Sequence, residues 1–435
     1  MIGLLVLISF LPSIFSTVIT TLSGEISYTE TWGYITVRPK AHLFWWLYSN
    51  EDTVQRPLML WLQGGPGVSS TGYGNFQILG PLNDQLQTRN STWLQKVDLL
   101  FVDSPVGTGF SYVEVNSAFT TDIDQIAADL FEWAQDWFRT HPKFENRPFY
   151  IFSESYGGKA AAVFTNLLYL AMKNENIKCN LKGIGLGDSW ISPMDYVYTW
   201  GSYLYNLSMF STADLEEYNQ RATKCKDYIN NDRWEEATYC CFQAQLLIQK
   251  LAGEVSFYNV LKRDNTDAWS RRKKKMVTLH RLQKRHLRGS YVDPLPELMN
   301  AKIKEKLSIP NNVFWGEQAH QVFKKQYGDF MKPVISTVDN LLTNTTGLKI
   351  VVFQGQLDLI CCTSGTEAWI KKLKWPGLSS YRSQKRVAFS AGPAPLNQQT
   401  AGFLKKYENF MFFWIMRAGH SVNISIIFFF VIVSS

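Results

Sequence analysis

The chain has 435 residues, of which 46% are hydrophobic and 14% aromatic, and a formal net charge of +7. This length and aromatic content predict one large globular unit with an insertion and exclude a string of small modules. The positive charge is local, because the segment from Lys262 to Arg288 holds eleven Lys or Arg residues and leaves the rest of the chain slightly acidic. We find no internal repeat, phosphate-binding loop or metal-ligand cluster in the sequence, so neither a metal nor an organic cofactor is expected.

The first element is an apolar segment over residues 1–16 that ends in a proline and small residues. It resembles a signal peptide, although it lacks an initial Lys or Arg, and the alternative is a buried N-terminal strand. Four N-x-[ST] triplets would be glycosylated only in the secretory pathway, and they begin at Asn90, Asn206, Asn344 and Asn423. We therefore expect a secreted or lysosomal protein. Six cysteines permit disulfides but leave the pairing open: Cys179, Cys225, Cys240, Cys241, Cys361 and Cys362.

Apolar runs that alternate with helical patterns predict an α/β protein. Strands are expected at Leu43–Tyr48, Leu58–Gln63, Leu99–Asp103, Phe149–Ser153, Gly183–Gly187, Lys349–Gln354 and Phe410–Met416. The clearest helix is Thr121–Thr140, whose apolar residues share one face. Acidic residues near its start and Arg139 near its end complement the helix dipole.

Ser155 stands at the apex of a predicted strand–turn–helix unit. It lies within Ser153-Glu154-Ser155-Tyr156-Gly157, between an apolar strand and the small residues that open a helix. A turn this tight needs small neighbours, because the strand and helix backbones nearly touch, and it exposes the hydroxyl above the sheet edge. The segment resembles the nucleophile elbow of the α/β-hydrolases, with Ser153 where that motif has glycine. The alternative is a serine in an ordinary loop.

The two partners of such a serine follow in the order that this fold uses, acid and then histidine. Asp358 comes just after the strand at Lys349–Gln354, and His420 comes after the strand at Phe410–Met416. An imidazole would take the serine's proton and a carboxylate would orient that imidazole. Taken alone, the aspartate could be a loop acid and the histidine a surface residue.

Three blocks together resemble the serine carboxypeptidase family: Trp61–Ser70, Phe101–Tyr112 and Phe152–Lys159. Within the family, Trp32–Arg38 and Gly187–Pro193 look most like one particular branch. The resemblance covers the chain from about Glu30 to His420 and implies an α/β-hydrolase fold, with a mostly parallel central sheet and a helical cap insertion. The pattern turns helical and polar over residues 191–310, which we assign to the cap, with residues 25–190 as the first part of the core and 311–420 as the second part.

The resemblance also assigns roles around the serine. The backbone N–H groups of Gly65 and Tyr156 would form the oxyanion hole, for which a glycine-rich loop is suited because it lets the backbone approach a substrate closely. Gln63, Gly64 and Glu154 would bind the free carboxylate of the substrate. Gln63 replaces an Asn of the family and Ile78 replaces a second acid, so two of four positions match. The alternative for Glu154 is a solvated turn residue.

Two segments depart from the expected pattern. The basic run from Lys262 to Arg288 lacks a nucleic-acid-binding motif, so we interpret it as a solvated loop of the cap that is open to proteolysis, and no nucleic-acid partner is expected. After His420 the family pattern ends, and residues 421–435 form an atypical hydrophobic tail. Its apolar run, Ile426–Val433, falls short of the roughly 20 residues that span a bilayer as a helix.

These features predict a serine carboxypeptidase that removes C-terminal residues from peptides or proteins through Ser155, His420 and Asp358. One alternative is a hydrolase-fold protein whose catalysis is impaired by Ile78 and by the foreign tail. Another is an esterase or acyltransferase on the same scaffold, because one acyl-enzyme can be resolved by water or by a different nucleophile. The oligomeric state is not predicted.

Overall fold

A computed structural model describes residues 15–19 by their backbone, and residues 27–50, 56–263, 294–390 and 399–422 in full. Its strands are β1 (Phe15–Ile19), β2 (Tyr28–Arg38), β3 (Ala41–Ser49), β4 (Leu58–Leu62), β5 (Asp98–Val102), β6 (Tyr112–Val113), β7 (Pro148–Glu154), β8 (Asn180–Gly187), β9 (Val255–Ser256), β10 (Asn259–Arg263), β11 (Lys349–Gly355), β12 (Val387–Ser390), β13 (Thr400–Tyr407) and β14 (Phe410–Ile415). All seven predicted strands are present, and their ends differ from the predicted ends by at most three residues.

The longer helices are α1 (Ile123–Thr140), α2 (Gly157–Lys173), α3 (Pro193–Asn206), α4 (Thr212–Asn230), α5 (Trp234–Leu251), α6 (Ala319–Lys325), α7 (Ile335–Asn344), α8 (Thr363–Ile370) and α9 (Leu378–Ser383). A π-helix covers Ser70–Leu79, and short helical turns cover Leu295–Leu298, Met299–Ile303 and Lys304–Lys306. The helix predicted from Thr121 begins at Ile123, because the Asp122 side chain accepts a hydrogen bond from the Gln125 backbone and caps the first turn.

One large sheet organises the molecule, in the order β1-β2-β3-β5-β4-β7-β8-β11-β14-β13-β12, with β6 beside β3. The six strands from β5 to β14 in this order run parallel, and antiparallel strands flank them on both sides. This is the mostly parallel sheet of the predicted fold class, which is confirmed. Parallel strands are covered on both faces, which explains why β4 and β7 are almost entirely buried.

Two hydrophobic clusters lie on the two faces of the sheet. Along β7, Phe149 and Ile151 join the cluster that also contains the buried face of α1. Tyr150 and Phe152 point the other way and join the aromatic cluster built around Trp46, Trp61 and Trp93. The alternation follows from the two-residue repeat of a strand, so one short apolar run supplies both faces of the core.

The region between β8 and β11 contains α3, α4 and α5, as its polar helical pattern predicts. It also contains a feature that the pattern did not predict, the antiparallel hairpin β9–β10. A disulfide between Cys225 and Cys240 joins α4 to α5, with the two Cα atoms 5.4 Å apart. The other four cysteines are free and buried. Most of the basic run, from residue 264 onwards, lies outside the described residues.

Candidate active site

Ser155 occupies the sharp turn between β7 and α2, as predicted. Its backbone has φ 61°, in the left-handed region that is unfavourable for a residue with a side chain. The turn is held from both sides, because the Ser155 N–H donates to the Gly187 carbonyl at 3.1 Å and the Ser155 carbonyl accepts from the Trp190 N–H at 2.9 Å. A Cβ atom at Gly157 would lie 2.3 Å from the Leu62 carbonyl oxygen. The predicted need for small residues around this turn is therefore confirmed.

Asp358 and His420 follow β11 and β14, which are neighbouring parallel strands. The imidazole Nδ1 of His420 lies 2.9 Å from Oδ2 of Asp358. The Asp358 side chain is fully buried and His420 is 5% exposed, so neither is the loop acid or surface histidine of the alternative interpretation. Two residues 62 positions apart in the sequence thus form one hydrogen-bonded pair.

Contacts with the hairpin β9–β10 and with the end of β11 fix the His420 loop. The His420 N–H donates to the Tyr258 carbonyl at 2.8 Å, and the Leu357 N–H donates to the Ala418 carbonyl at 2.7 Å. The Tyr258 ring meets the His420 ring edge-on, with centroids 5.2 Å apart. Sequence reasoning missed Tyr258, because it belongs to the hairpin β9–β10 and no local pattern marks it. The contacts that hold His420 in place involve residues that precede it in the chain.

The Asp358–His420 pair and the Ser155 turn meet at the same edge of the sheet. Glu154 precedes Ser155, and its Oε1 accepts a hydrogen bond of 3.4 Å from the hydroxyl of Ser421, which follows His420. Among the described residues, the partly exposed Ser155 hydroxyl makes no hydrogen bond. The Ser155–His420 link stays a prediction.

The glycine-rich loop after β4 lies against the serine turn. A Cβ atom at Gly64 would lie 2.6 Å from the Ser155 Cβ and 2.8 Å from the Tyr156 nitrogen. Gly65 adopts φ 115°, which only glycine takes up readily. The loop thus comes close to the Tyr156 N–H, as an oxyanion hole requires, while the roles of Gly65 and Tyr156 stay predictions.

The predicted carboxylate-binding residues form a buried hydrogen-bonded chain. Gln63 Nε2 donates to Glu154 Oε1 at 2.7 Å, and Trp61 Nε1 donates to Gln63 Oε1 at 2.8 Å. Glu154 is 3% exposed, which contradicts the alternative of a solvated turn residue. Burial raises the pKa of Glu154 above its ordinary value, more than its contacts with His420 and Gln63 lower it. Ile78 is buried in the aromatic cluster.

The pKa of His420 reflects two opposing effects. Burial lowers it, whereas the negative charge of Asp358, the hydrogen bond to Asp358 and the charge of Glu154 raise it. The raising effects are larger together, so the pKa of His420 lies above its ordinary value of 6.5. An imidazole held in this way is a stronger base than free histidine.

Two further side chains at this site were not predicted as functional. Asp188 is fully buried directly after β8, and Gln354 Nε2 donates hydrogen bonds to both Asp188 and Asp358. A signal was present in the sequence, because Asp188 directly follows β8, whereas Asp358 comes three residues after β11. Cys361 is also buried here, and its backbone N–H donates to Asp358 Oδ1 at 3.3 Å.

Asp358, Cys361 and His420 also place three metal-ligand atoms within 4.8 Å of one another. Ligand atoms of a tetrahedral site with bonds of about 2.1 Å lie about 3.4 Å apart. The 2.9 Å between His420 Nδ1 and Asp358 Oδ2 is shorter and fits a shared proton better than a shared ion. The cluster is therefore interpreted as the acid–histidine pair with a neighbouring thiol.

The predicted glycosylation residues lie apart from this site. Asn90, Asn206 and Asn344 are exposed, and Asn423 lies outside the described residues. Of the apolar segment over residues 1–16, only the backbone of Phe15 and Ser16 in β1 is described, and the tail beyond residue 422 lies outside the described residues. Within the described part of the chain, no helix is both long and apolar enough to cross a membrane.

The sheet order and the strand-end placement of these residues define an α/β-hydrolase. Residues 21–425 match the serine carboxypeptidase family, Peptidase S10. The chain belongs to this family and is by that membership a serine-type carboxypeptidase, as the sequence blocks predict.

Relatives agree with this assignment. Retinoid-inducible serine carboxypeptidase of Mus musculus is 46% identical over 400 residues, 90% of this chain and 88% of the relative. The protein of the same name from Homo sapiens is 45% identical, with the same coverage. Serine carboxypeptidase-like 51 of Arabidopsis thaliana is 41% identical over 91% of this chain and 89% of its own length. The branch expected from Trp32–Arg38 and Gly187–Pro193, the retinoid-inducible one, is confirmed.

Among solved structures, the prohormone-processing carboxypeptidase Kex1(delta)p of Saccharomyces cerevisiae superimposes with a TM-score of 0.78. The match covers 93% of this chain and 91% of the yeast chain at 22% sequence identity. This similarity supports the fold.

Proposed function

We propose that this carboxypeptidase removes C-terminal residues from peptides through an acyl-enzyme formed on Ser155. The hydroxyl proton passes to Nε2 of His420 as Oγ attacks the scissile carbonyl carbon. The peptide C–N bond then breaks, and His420 returns the proton to the leaving amine. Water repeats the sequence, so that the acyl–oxygen bond breaks and the serine is restored. The observation that carries the proposal is the buried hydrogen bond between His420 and Asp358 beside the Ser155 turn.

The surrounding groups supply the remaining needs of the reaction. Asp358 holds His420 with Nδ1 toward the acid, which leaves Nε2 to face the serine. The N–H groups of Gly65 and Tyr156 stabilise the negative charge that develops on the carbonyl oxygen. Gln63, Gly64 and Glu154 hold the substrate's C-terminal carboxylate, and burial raises the pKa of Glu154, which favours the neutral form that can donate a hydrogen bond to this carboxylate.

A fluorophosphonate probe tests the nucleophile directly, because it forms a covalent bond with an activated serine Oγ and releases fluoride. We expect labelling of wild-type protein at Ser155 and none of Ser155→Ala. Ser153→Ala is the matched control from the same pentapeptide, since the Ser153 hydroxyl is fully buried and donates to the Gly185 carbonyl. Folded protein that the probe does not label at Ser155 would contradict the proposal and favour a catalytically impaired hydrolase-fold protein.

A second comparison separates an exopeptidase from an esterase or acyltransferase. A peptide with a free C-terminal carboxylate and the same peptide with an amidated end present identical scissile bonds. Only an enzyme that recognises the carboxylate loses activity on amidation. Equal rates on both peptides, with Ser155 labelled, would favour the esterase or acyltransferase alternative, in which Ile78 leaves Glu154 without a second acid.

We also propose that the protein works in the secretory pathway, as a secreted or lysosomal enzyme. The disulfide between Cys225 and Cys240 supports an oxidising compartment. The exposure of Asn90, Asn206 and Asn344 is compatible with N-linked glycans. Expression in cultured cells tests this location, because an N-glycosidase should lower the apparent mass of wild-type protein and leave unchanged the variant in which Asn90, Asn206, Asn344 and Asn423 are all replaced by Gln.

A further inference from the structure

Two buried carboxyl groups lie side by side at the candidate active site. Asp188 follows β8 and Asp358 follows β11, and these strands are parallel neighbours. Both side chains are fully buried. Gln354 on β11 donates its Nε2 to Asp188 Oδ1 and to Asp358 Oδ2, the latter at 3.0 Å, while its Oε1 accepts from the Thr366 hydroxyl.

The donors around the two acids are shared unequally. Asp358 accepts from the His420 imidazole and from Gln354 on Oδ2, and from the Cys361 N–H on Oδ1. Asp188 accepts from Gln354 and from the Gly355 N–H, both on Oδ1. Asp188 Oδ2 is buried and has no donor among the described residues. The two carboxyl groups nevertheless lie beside each other, because the same Gln354 nitrogen contacts an oxygen of each.

A proton between the two carboxyls resolves this arrangement. Two carboxylates in contact repel each other in a buried site, so such pairs share one proton. Within the described ranges, no Lys or Arg forms an ion pair with either acid. Asp188 Oδ2 is the one oxygen of the pair that lacks a donor, so a proton placed there satisfies it and supplies Asp358 with a further hydrogen bond.

We propose that Asp188 is a neutral carboxylic acid that donates a hydrogen bond from Oδ2 to Asp358 and holds Asp358 toward His420. Asp188 is thus a positioning residue. The two acids together carry one negative charge, which stays on Asp358, the residue that contacts His420. The inference rests on the proposed function, because it assumes that Asp358 serves His420 in catalysis.

The charged groups that face Asp188 all favour its neutral form. Burial raises the pKa of Asp188 most, and the charge of Asp358 and the hydrogen bond with it raise this pKa further. Glu154, at the end of β7, raises it as well, whereas the hydrogen bonds that Asp188 accepts from the Gly355 N–H and from Gln354 act in the opposite direction. The Cys361 thiol, which also faces Asp188, carries no charge at neutral pH because its own pKa lies well above 9.0.

Asp188→Asn tests the charge of this residue. The acid limb of the pH profile of kcat/KM reports the pKa of His420. If Asp188 is already neutral, the substitution leaves this limb at the same pH as in the wild type. If Asp188 were ionised, removing its charge would lower this limb by on the order of 1 pH unit. A downward shift of that size would overturn the proposal.

Asp188→Ala tests the positioning role. It removes the donor to Asp358 and leaves the Gly355 N–H and one N–H of the Gln354 amide without an acceptor. We expect kcat to fall on the order of 10- to 100-fold with little change in KM, by analogy with residues that orient a catalytic ligand. Because its amide can donate where the acid did, Asn should restore most of this loss. A wild-type kcat for Asp188→Ala would overturn the positioning role.

Infrared spectroscopy detects the proton itself and needs no activity. Protein labelled with 13C at its aspartate carboxyls should show the carbonyl stretch of a protonated aspartic acid at neutral pH. This band should be missing from whichever Asp188 variant folds. If wild type has no such band, or if the folded variant keeps it, the proposal is wrong. Because probe labelling of Ser155 is a separate measurement, a failure of the proposed function would not be mistaken for a failure of this inference.

Discussion

Gly64 and Ser155 lie so close that the space for a side chain at residue 64 is already filled. A Cβ atom there would sit 2.6 Å from the Ser155 Cβ and 2.8 Å from the Glu154 carbonyl oxygen. Both of these neighbours belong to a turn that cannot yield easily, because β7 and α2 fix its two ends. The loop after β4 and the serine turn therefore pack directly against each other, and this packing requires glycine at residue 64.

Gly64→Ala should consequently damage activity far more than folding. The added methyl group displaces the loop or the serine, and a misplacement of about 1 Å is enough to lower the rate on the order of 100-fold. Steady-state kinetics would show the drop in kcat/KM, and circular dichroism would show that the fold is retained.

Gly328→Ala is the control for this substitution. The nearest atom to a Cβ at Gly328 lies 3.8 Å away, which is ordinary contact. This variant should keep wild-type kinetics. If Gly64→Ala and Gly328→Ala had the same kcat/KM, the close approach of Gly64 to Ser155 would have no role in catalysis.

The pH dependence of substrate binding should follow Glu154. Burial raises the pKa of this acid, so the neutral form that can donate to a substrate carboxylate persists at higher pH than usual. As pH rises through this pKa, Glu154 becomes negative and repels the substrate carboxylate. KM for a peptide with a free C-terminus should then increase on the order of tenfold or more.

Glu154→Gln isolates this effect, since glutamine is neutral at every pH and still donates. Its KM should change little across the same pH range, and the amidated peptide should show no comparable rise with either enzyme. A flat KM for wild type with the free peptide would remove Glu154 from carboxylate recognition.

The acid limb of catalysis should lie above the pH expected for an ordinary histidine. In the proposed mechanism His420 must be neutral to accept the serine's proton. Asp358 and Glu154 raise the pKa of His420 by more than burial lowers it. Activity should therefore fall as pH drops through a value above 6.5. An ester substrate without a free carboxylate gives the cleanest profile, because binding then does not depend on Glu154. A limb centred below pH 6 would show that Asp358 does not support the imidazolium.

A buried ion pair between Lys159 on α2 and Asp329 after α6 should matter for stability. Nζ of Lys159 lies 2.8 Å from Asp329 Oδ2, and the Lys159 side chain is fully buried. The Tyr156 hydroxyl also donates to Asp329, at 3.0 Å. Removing one partner leaves an uncompensated buried charge, so Lys159→Ala should lower the free energy of unfolding by about 3–5 kcal/mol. Urea denaturation measures this loss.

Lys372 and Asp195 form the matched control pair at 2.6 Å, with the Lys372 side chain 58% exposed. Because the Lys372 end of the pair is open to solvent and Asp195 keeps a hydrogen bond from the Ser192 hydroxyl, Lys372→Ala should change the unfolding free energy by less than about 1 kcal/mol. Equal losses for the two lysines would mean that burial does not govern the strength of these pairs.

The sequence by itself determined the parts of the protein that depend on local pattern. The apolar runs of β4, β7, β11 and β14 mark buried strands, since a strand covered on both faces needs apolar side chains throughout. The small residues around Ser155 mark the sharp turn, because only they fit where two backbones touch. Chain order then made Asp358 and His420 the candidates to join this serine.

Only the tertiary structure decided which distant side chains meet. Strand order placed β8 beside β11 and so brought Asp188 against Asp358, and it set Gln63 against Glu154 across β4 and β7. The antiparallel packing of α4 on α5 selected Cys225 and Cys240 and left Cys241, one residue away, unpaired. Periodicity fixes which face of an element is buried, but the neighbour on that face is set by contacts between segments far apart in the chain, which no local pattern encodes.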